Sequence, residues 1–250
     1  LVIPGGDVPD YGGAIAGAGQ QGSTGNLYRG VDVSFYNVAD DSYKNYITND
    51  DSGADYSKLD FAAMKEDGCD FVIIRLGSED MKNNTGRYVD PHFPTLYKMA
   101  REAGLDIGLY YYSYALTEAE AIADAEFVID YLNKNDYYFE YPIYIDLEES
   151  TQLALGQTGL DALGYGWCET MVDAGYYPGI YCNLNFYDNM GTQIKQDYDF
   201  WIAWYGGGTP DTNNISDECA VWQYSSTGHA EYDGIGLDFM DVNVCYKDYP

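Results

Sequence analysis

Eight short runs of apolar and aromatic residues recur along the chain from Val31 onward, and their spacing narrows the folds open to it. They are Val31 to Phe35, Phe71 to Leu76, Ile107 to Tyr112 and Pro142 to Leu147, followed by Pro178 to Cys182, Phe200 to Trp204, Ala220 to Tyr224 and Leu237 to Val242. Each has the length and composition of a strand. The first five begin roughly 35 residues apart, room for a strand and a crossover helix that returns the chain to a parallel neighbour. Helical patterns fill the gaps over Tyr56 to Asp67, Phe93 to Ala103, Glu118 to Leu132 and Leu160 to Ala174, and Gly68, Gly104 and Gly175 stand where helices should end. The last three runs are only about 20 residues apart, too close for full helical crossovers. The spacing predicts an α/β protein, a TIM-like barrel of five strand-helix units followed by three strands with short connections.

A chain of 250 residues suffices for one such domain. Residues 1–27 are rich in Gly and small residues without sustained periodicity, and read as a linker or N-terminal arm, leaving 28–250 for the barrel. Leu1 stands where an initiator methionine would, as expected of a processed or excised fragment. No apolar run is long enough to span a membrane, and no signal peptide is evident. With 41 Asp and Glu against 12 Lys and Arg, the net charge of −29 repels phosphates, which excludes nucleic acid as an expected partner. The stretch from Val38 to Ala54 is an acidic insertion-like loop without the ligand spacing of a calcium loop. Five cysteines lie far apart with no C-x-x-C pair, so no metal site is expected; they could form two bridges at most. His92 and His229 are the sole histidines and read as packing or surface residues, which gives a Ser-His-Asp hydrolase little support.

The chemistry concentrates in Tyr144-Ile145-Asp146-Leu147-Glu148. Side chains alternate faces along a strand, so Asp146 and Glu148 point the same way. Two acids on one face beside tyrosines raise each other's cost of ionisation, and a proton-holding acid beside an ionised one is the pairing glycosidases use. Barrel enzymes gather their chemistry at the carboxyl ends of the strands. There this chain offers Asp32 on the first strand, Tyr112 and Tyr114 after the third, and Asp146 and Glu148 on the fourth. Tyr181 follows on the fifth, Trp204 and Tyr205 on the sixth, Gln223 on the seventh and Asp241 on the eighth. The 28 tyrosines exceed what a core requires, and aromatic faces with polar edges suit sugar rings. Tyr112, Tyr114, Tyr181, Trp204, Tyr205 and Gln223 are therefore the expected substrate-binding residues.

In this order, Gly30-Val31-Asp32-Val33-Ser34, Phe71-Val72-Ile73-Ile74-Arg75, Gly108-Leu109-Tyr110-Tyr111-Tyr112-Ser113 and the Asp146-Leu147-Glu148 segment resemble motifs of glycoside hydrolase family 25, the muramidase-type lysozymes. So do Gly175 to Tyr181, Trp201 to Tyr205, Trp222-Gln223-Tyr224 and Asp241-Val242-Asn243. The resemblance implies a flattened barrel and hydrolysis of the β-1,4 bond from N-acetylmuramic acid to N-acetylglucosamine in bacterial cell-wall peptidoglycan. It implies Glu148 as general acid, with Asp146, Asp32 and Asp241 as the accompanying acids, no metal or organic cofactor, and a secreted or wall-associated protein. Asp146 would orient the substrate acetamide or act as nucleophile. Retaining chemistry wants carboxyls about 5 to 5.5 Å apart and inverting chemistry about 6.5 to 9.5 Å, a difference that strand spacing alone does not decide. A silent glycan-binding barrel, or a glycosidase on another N-acetyl glycan such as chitin, stay open as alternatives.

Overall fold

The computed structural model describes residues 26–38, 54–80 and 86–249. The expected arm lies outside these residues but for Asn26 and Leu27, and so does the acidic loop apart from Val38 and Ala54. The chain enters the barrel with β1 (Tyr28–Val33), reaches α1 (Phe61–Glu66), and continues through β2 (Phe71–Asp80), β3 (Gly86–Val89) and α2 (Phe93–Ala103). Then come β4 (Asp106–Tyr112), α3 (Glu118–Asn135), β5 (Ile143–Asp146), α4 (Ser150–Leu153) and α5 (Gly156–Asp173). The last third holds β6 (Pro178–Asn183), α6 (Leu184–Asn189), α7 (Thr192–Asp197), β7 (Asp199–Ala203), β8 (Val221–Ser225) and β9 (Asp241–Cys245).

Parallel pairing runs β1, β2, β4, β5, β6, β7, β8, and β9 closes the ring by pairing antiparallel with both β8 and β1. The result is a closed eight-stranded barrel with helices over its first five strands, as the spacing predicts. Two features depart from the expectation. β3 hairpins back onto the outer half of β2, which runs ten residues because this extra partner supports its extension. The last strand begins at Asp241 rather than Leu237, and its antiparallel direction was not anticipated, since a short connection permits either sense.

Alternation along the strands sorts the core into two layers. Val31, Val72, Ile107, Ile145 and Ile180 face outward and belong to the core layer between barrel and helices, while Val242 faces outward beneath the Gly228 loop. Phe71, Ile73, Tyr144, Tyr181, Trp201, Val221 and Cys245 fill the barrel interior. Aromatics fit there because small residues face them: a Cβ at Gly179 would lie 2.4 Å from the Tyr144 ring. Local signals delimit the helices. Thr117 and Glu120 form a reciprocal capping box at the start of α3, and Gly104 ends α2 in the left-handed region at φ 75°. The five cysteines are buried and unpaired. His92 is buried against Tyr56 and His229 is exposed. Among the described residues no helix is long and apolar enough to cross a membrane.

Candidate active site

The carboxyl ends of the parallel strands open into one cleft of about 970 Å³ whose walls include Asp32, Asp146, Glu148 and Asp241. Three of these acids arrive as parallel topology dictates, from the ends of β1 and β5 and the loop after β5. Asp241 arrives from the opposite direction: it is the first residue of β9, and the antiparallel register places it directly across from Asp32. The backbone N–H of Leu147 donates to the Tyr181 carbonyl, which carries the strand alternation one step past β5 and leaves Glu148 on the face of Asp146.

Burial raises the pKa of all four acids. For Asp32 desolvation leads, followed by repulsion from Asp241; two hydrogen-bond donors oppose it. Asp146 is raised well above its ordinary value by burial and then by Glu148, with the Arg75 guanidinium pulling it back. Its Oδ1 is buried without a hydrogen-bond partner among the described residues. Glu148 is open to cleft solvent on one side, yet the surrounding walls still raise its pKa, aided by Glu149 and countered by the Tyr112 hydroxyl. Asp241 is pushed up to about 6 by burial and by Glu148. Such a cluster holds its protons to higher pH than free carboxyls do, because each further negative charge is disfavoured both by low solvation and by its neighbours.

Of the six expected binding residues, Tyr112, Tyr114, Tyr181, Tyr205 and Gln223 line the cleft. Trp204 does not. On β7 Trp201 and Ala203 face inward, so Trp204 turns outward by strict alternation, where it packs against Gly207 and lies 6.1 Å from the Trp222 ring. Gln223 sits in the cleft floor, 2 % exposed, with its amide already engaged: Nε2 donates to Asp32 Oδ2 at 2.8 Å, and Oε1 accepts from Tyr181 and Tyr205 at 3.0 and 2.7 Å. Tyr112 and Tyr114 have ring centroids 5.1 Å apart, and the Tyr112 hydroxyl donates to Glu149 at 2.6 Å.

Several residues without an expected role share the site. Trp201 lines the cleft, as does Arg75, held by Asp90 at 3.2 Å and lying 4.4 Å from the Phe35 ring. Period-two counting from Phe71 and Ile73 puts Arg75 on the inner face, so its position was legible. Gln152 is another. Fully buried on α4, it accepts from the Glu149 backbone N–H at 3.0 Å and donates to the carbonyls of Ser113 and Ala115 at 2.9 and 3.1 Å, clipping the Glu148 loop to the segment after β4. The Glu149-x-x-Gln152 spacing is a capping-box variant and was its available signal. At the rim Tyr36, Tyr205 and Phe239 expose broad aromatic faces. Among the described residues no group of three or more His, Cys, Asp or Glu is arranged to hold a metal ion.

The model of the family described as "Glycosyl hydrolases family 25" matches residues 51–233. The chain belongs to that family. The match takes in Asp146 and Glu148, while Asp32 and Asp241 of this family 25 barrel lie outside it and join the site through β1 and β9. The chain is similar to the autolytic lysozyme of Clostridium acetobutylicum, 28 % identical over 171 residues covering 68 % of this chain and 48 % of that one. It is also similar to the uncharacterized protein YegX of Escherichia coli K12, 28 % identical over 186 residues covering 73 % and 62 %. This family 25 chain thus spans 48 % to 62 % of the length of these relatives. The fold is shared with the spore cortex lytic enzyme SleM of Clostridium perfringens at a TM-score of 0.66, with 18 % identity over 88 % of this chain and 67 % of that one. A muramidase from Trichobolus zukalii has a TM-score of 0.59 and 21 % identity, covering 88 % and 94 %.

Proposed function

We propose that this barrel hydrolyses the glycan of bacterial cell-wall peptidoglycan, cutting the β-1,4 bond between N-acetylmuramic acid and N-acetylglucosamine outside the cell as a secreted or wall-associated protein. The observation that carries the reading is four carboxyls with raised pKa values around one tyrosine-lined cleft of about 970 Å³. Kinship with an autolytic lysozyme supports the substrate class.

A glycosidic oxygen leaves slowly at neutral pH unless an acid delivers a proton as the bond breaks. Glu148, open to the cleft and with a raised pKa, is the proposed acid. Asp146 lies deeper and presents a buried oxygen with no donor among the described residues, which the N–H of a substrate acetamide would satisfy. Held there, the acetamide carbonyl attacks the anomeric carbon as the C–O bond breaks and Glu148 protonates the departing oxygen. Water then opens the cyclic intermediate, giving its proton back to Glu148, with net retention. A covalent route with Asp146 as nucleophile gives the same stereochemistry. Tyr36, Tyr205 and Phe239 supply faces for flanking sugars.

The test is incubation with purified peptidoglycan and, separately, chitin. Reducing N-acetylmuramic acid ends from peptidoglycan alone, identified by mass spectrometry, are the expected result. Cleavage of chitin alone would overturn the substrate class, and tight binding without cleavage of either would make this a silent glycan-binding barrel. Initial inversion at the anomeric carbon by NMR would eliminate both retaining routes.

A further inference from the structure

We propose that Gln223 and Asn243 are positioning residues that make Asp32 a one-sided acid, with Oδ2 held as a permanent acceptor and Oδ1 the single oxygen free to carry a proton or meet the substrate. The argument begins at Trp201, whose indole nitrogen can only donate. It lies 2.8 Å from Asn243 Oδ1, which fixes the orientation of that amide and turns Nδ2 toward Asp32 Oδ2 at 2.8 Å. A proton on Oδ2 would meet the Asn243 N–H head on, so Oδ2 accepts. Gln223, also 2.8 Å from Oδ2, must then donate as well, and its carbonyl turns to the hydroxyls of Tyr181 and Tyr205. Tyrosine hydroxyls tolerate either amide orientation; the Asp32 oxygen tolerates one.

Both lone pairs of Oδ2 are thereby occupied by neutral amides anchored on β8 and β9, while Oδ1 makes no hydrogen bond to any described residue. Asp32 is 6 % exposed and lines the cleft, directly across the register from Asp241. Glu148, Asp146, Tyr110, Tyr181 and Tyr205 are the other titratable groups whose charges act with or on it. The two donors favour the ionised form against burial and these neighbours, so losing either must raise the pH at which Asp32 gives up its proton. The use of Oδ1 in turnover rests on the hydrolase reading above; the one-sided geometry does not.

The experiment is a carbon-13 NMR titration of protein labelled at the aspartate carboxyls, with the Asp32 signal assigned by its loss in Asp32→Asn. Asn243→Leu and Gln223→Met, each close in size to the residue replaced, are expected to raise the Asp32 midpoint by about one unit, the worth of one hydrogen bond to a charged group. Tyr205→Phe removes a partner of Gln223 without touching Asp32 and is expected to produce a smaller shift of the same sign, which covers the case in which the other variants do not fold. A parallel pH-rate profile on peptidoglycan should move one limb by the same amount. An Asp32 midpoint that stays put while the melting temperature falls would mean the amides merely pack, and the proposal fails. A midpoint that moves in the variants while the unsubstituted protein cuts no peptidoglycan leaves the one-sided acid standing and overturns the hydrolase reading instead.

Discussion

Gln152 offers the sharpest separation between holding the barrel together and holding the acid in place. Its side chain makes three hydrogen bonds, to the Glu149 N–H and the carbonyls of Ser113 and Ala115, at a fully buried position. Gln152→Met keeps the length of the side chain and removes all three. At about 1 kcal/mol per bond the loss is roughly 3 kcal/mol, and more if the three stranded backbone groups find no water. For a chain of this size that corresponds to a fall in melting temperature of about 6 to 12 °C by calorimetry. The clip spans from the loop carrying Glu148 to the segment after β4, so its release shifts the proposed acid relative to Asp146. A displacement of about 1 Å at a reacting group costs on the order of 10²-fold. The expected kinetic signature on solubilised peptidoglycan, measured well below the melting transition, is therefore a kcat lowered about 10²-fold with KM nearly unchanged. A melting temperature that falls while kcat holds would refute the claim that this side chain aligns Glu148. If neither quantity moved, the hydrogen bonds themselves would carry no weight.

Glu148→Gln is expected to retain under about 1 % of wild-type turnover while still sedimenting with peptidoglycan, because general acid catalysis is worth about 10² to 10⁴; greater residual activity would remove it from the acid role. Asp146→Asn is expected to cost orders of magnitude in kcat, in the same assay. Asp241→Asn should stabilise the fold, with a definite pH signature. An unfolded aspartate titrates near about 3.9 and the folded group at about 6, so the native chain binds this proton more tightly and stability is lost as pH rises through that window. The variant's gain in melting temperature should be absent below about pH 4, grow toward pH 6 and level off above it. Trp204→Phe should lower the melting temperature without raising KM, whereas Tyr205→Ala should raise KM, since only Tyr205 faces the cleft.

Local pattern alone carried much of this molecule. The repeat of strand and helix, the glycines at helix ends and the crowding of the last three strands specify a barrel, because the length of a connection limits which strands can be parallel neighbours. Asp146 and Glu148 were legible as a same-face pair because side-chain alternation is a property of one strand. The same rule on β7 turns Trp204 away from the cleft, because Trp201 holds the inward position. Other features depend on contacts between distant segments. The direction of β9 brings Asp241 across from Asp32, over 200 residues away, and nothing near either residue encodes that pairing. Gln223 looked like a free hydrogen-bonding group until its partners from β1, β6 and the turn after β7 occupied it. The raised pKa values belong to this second category as well: burial and like charge act through space, and only the closed barrel puts four acids into one shared volume.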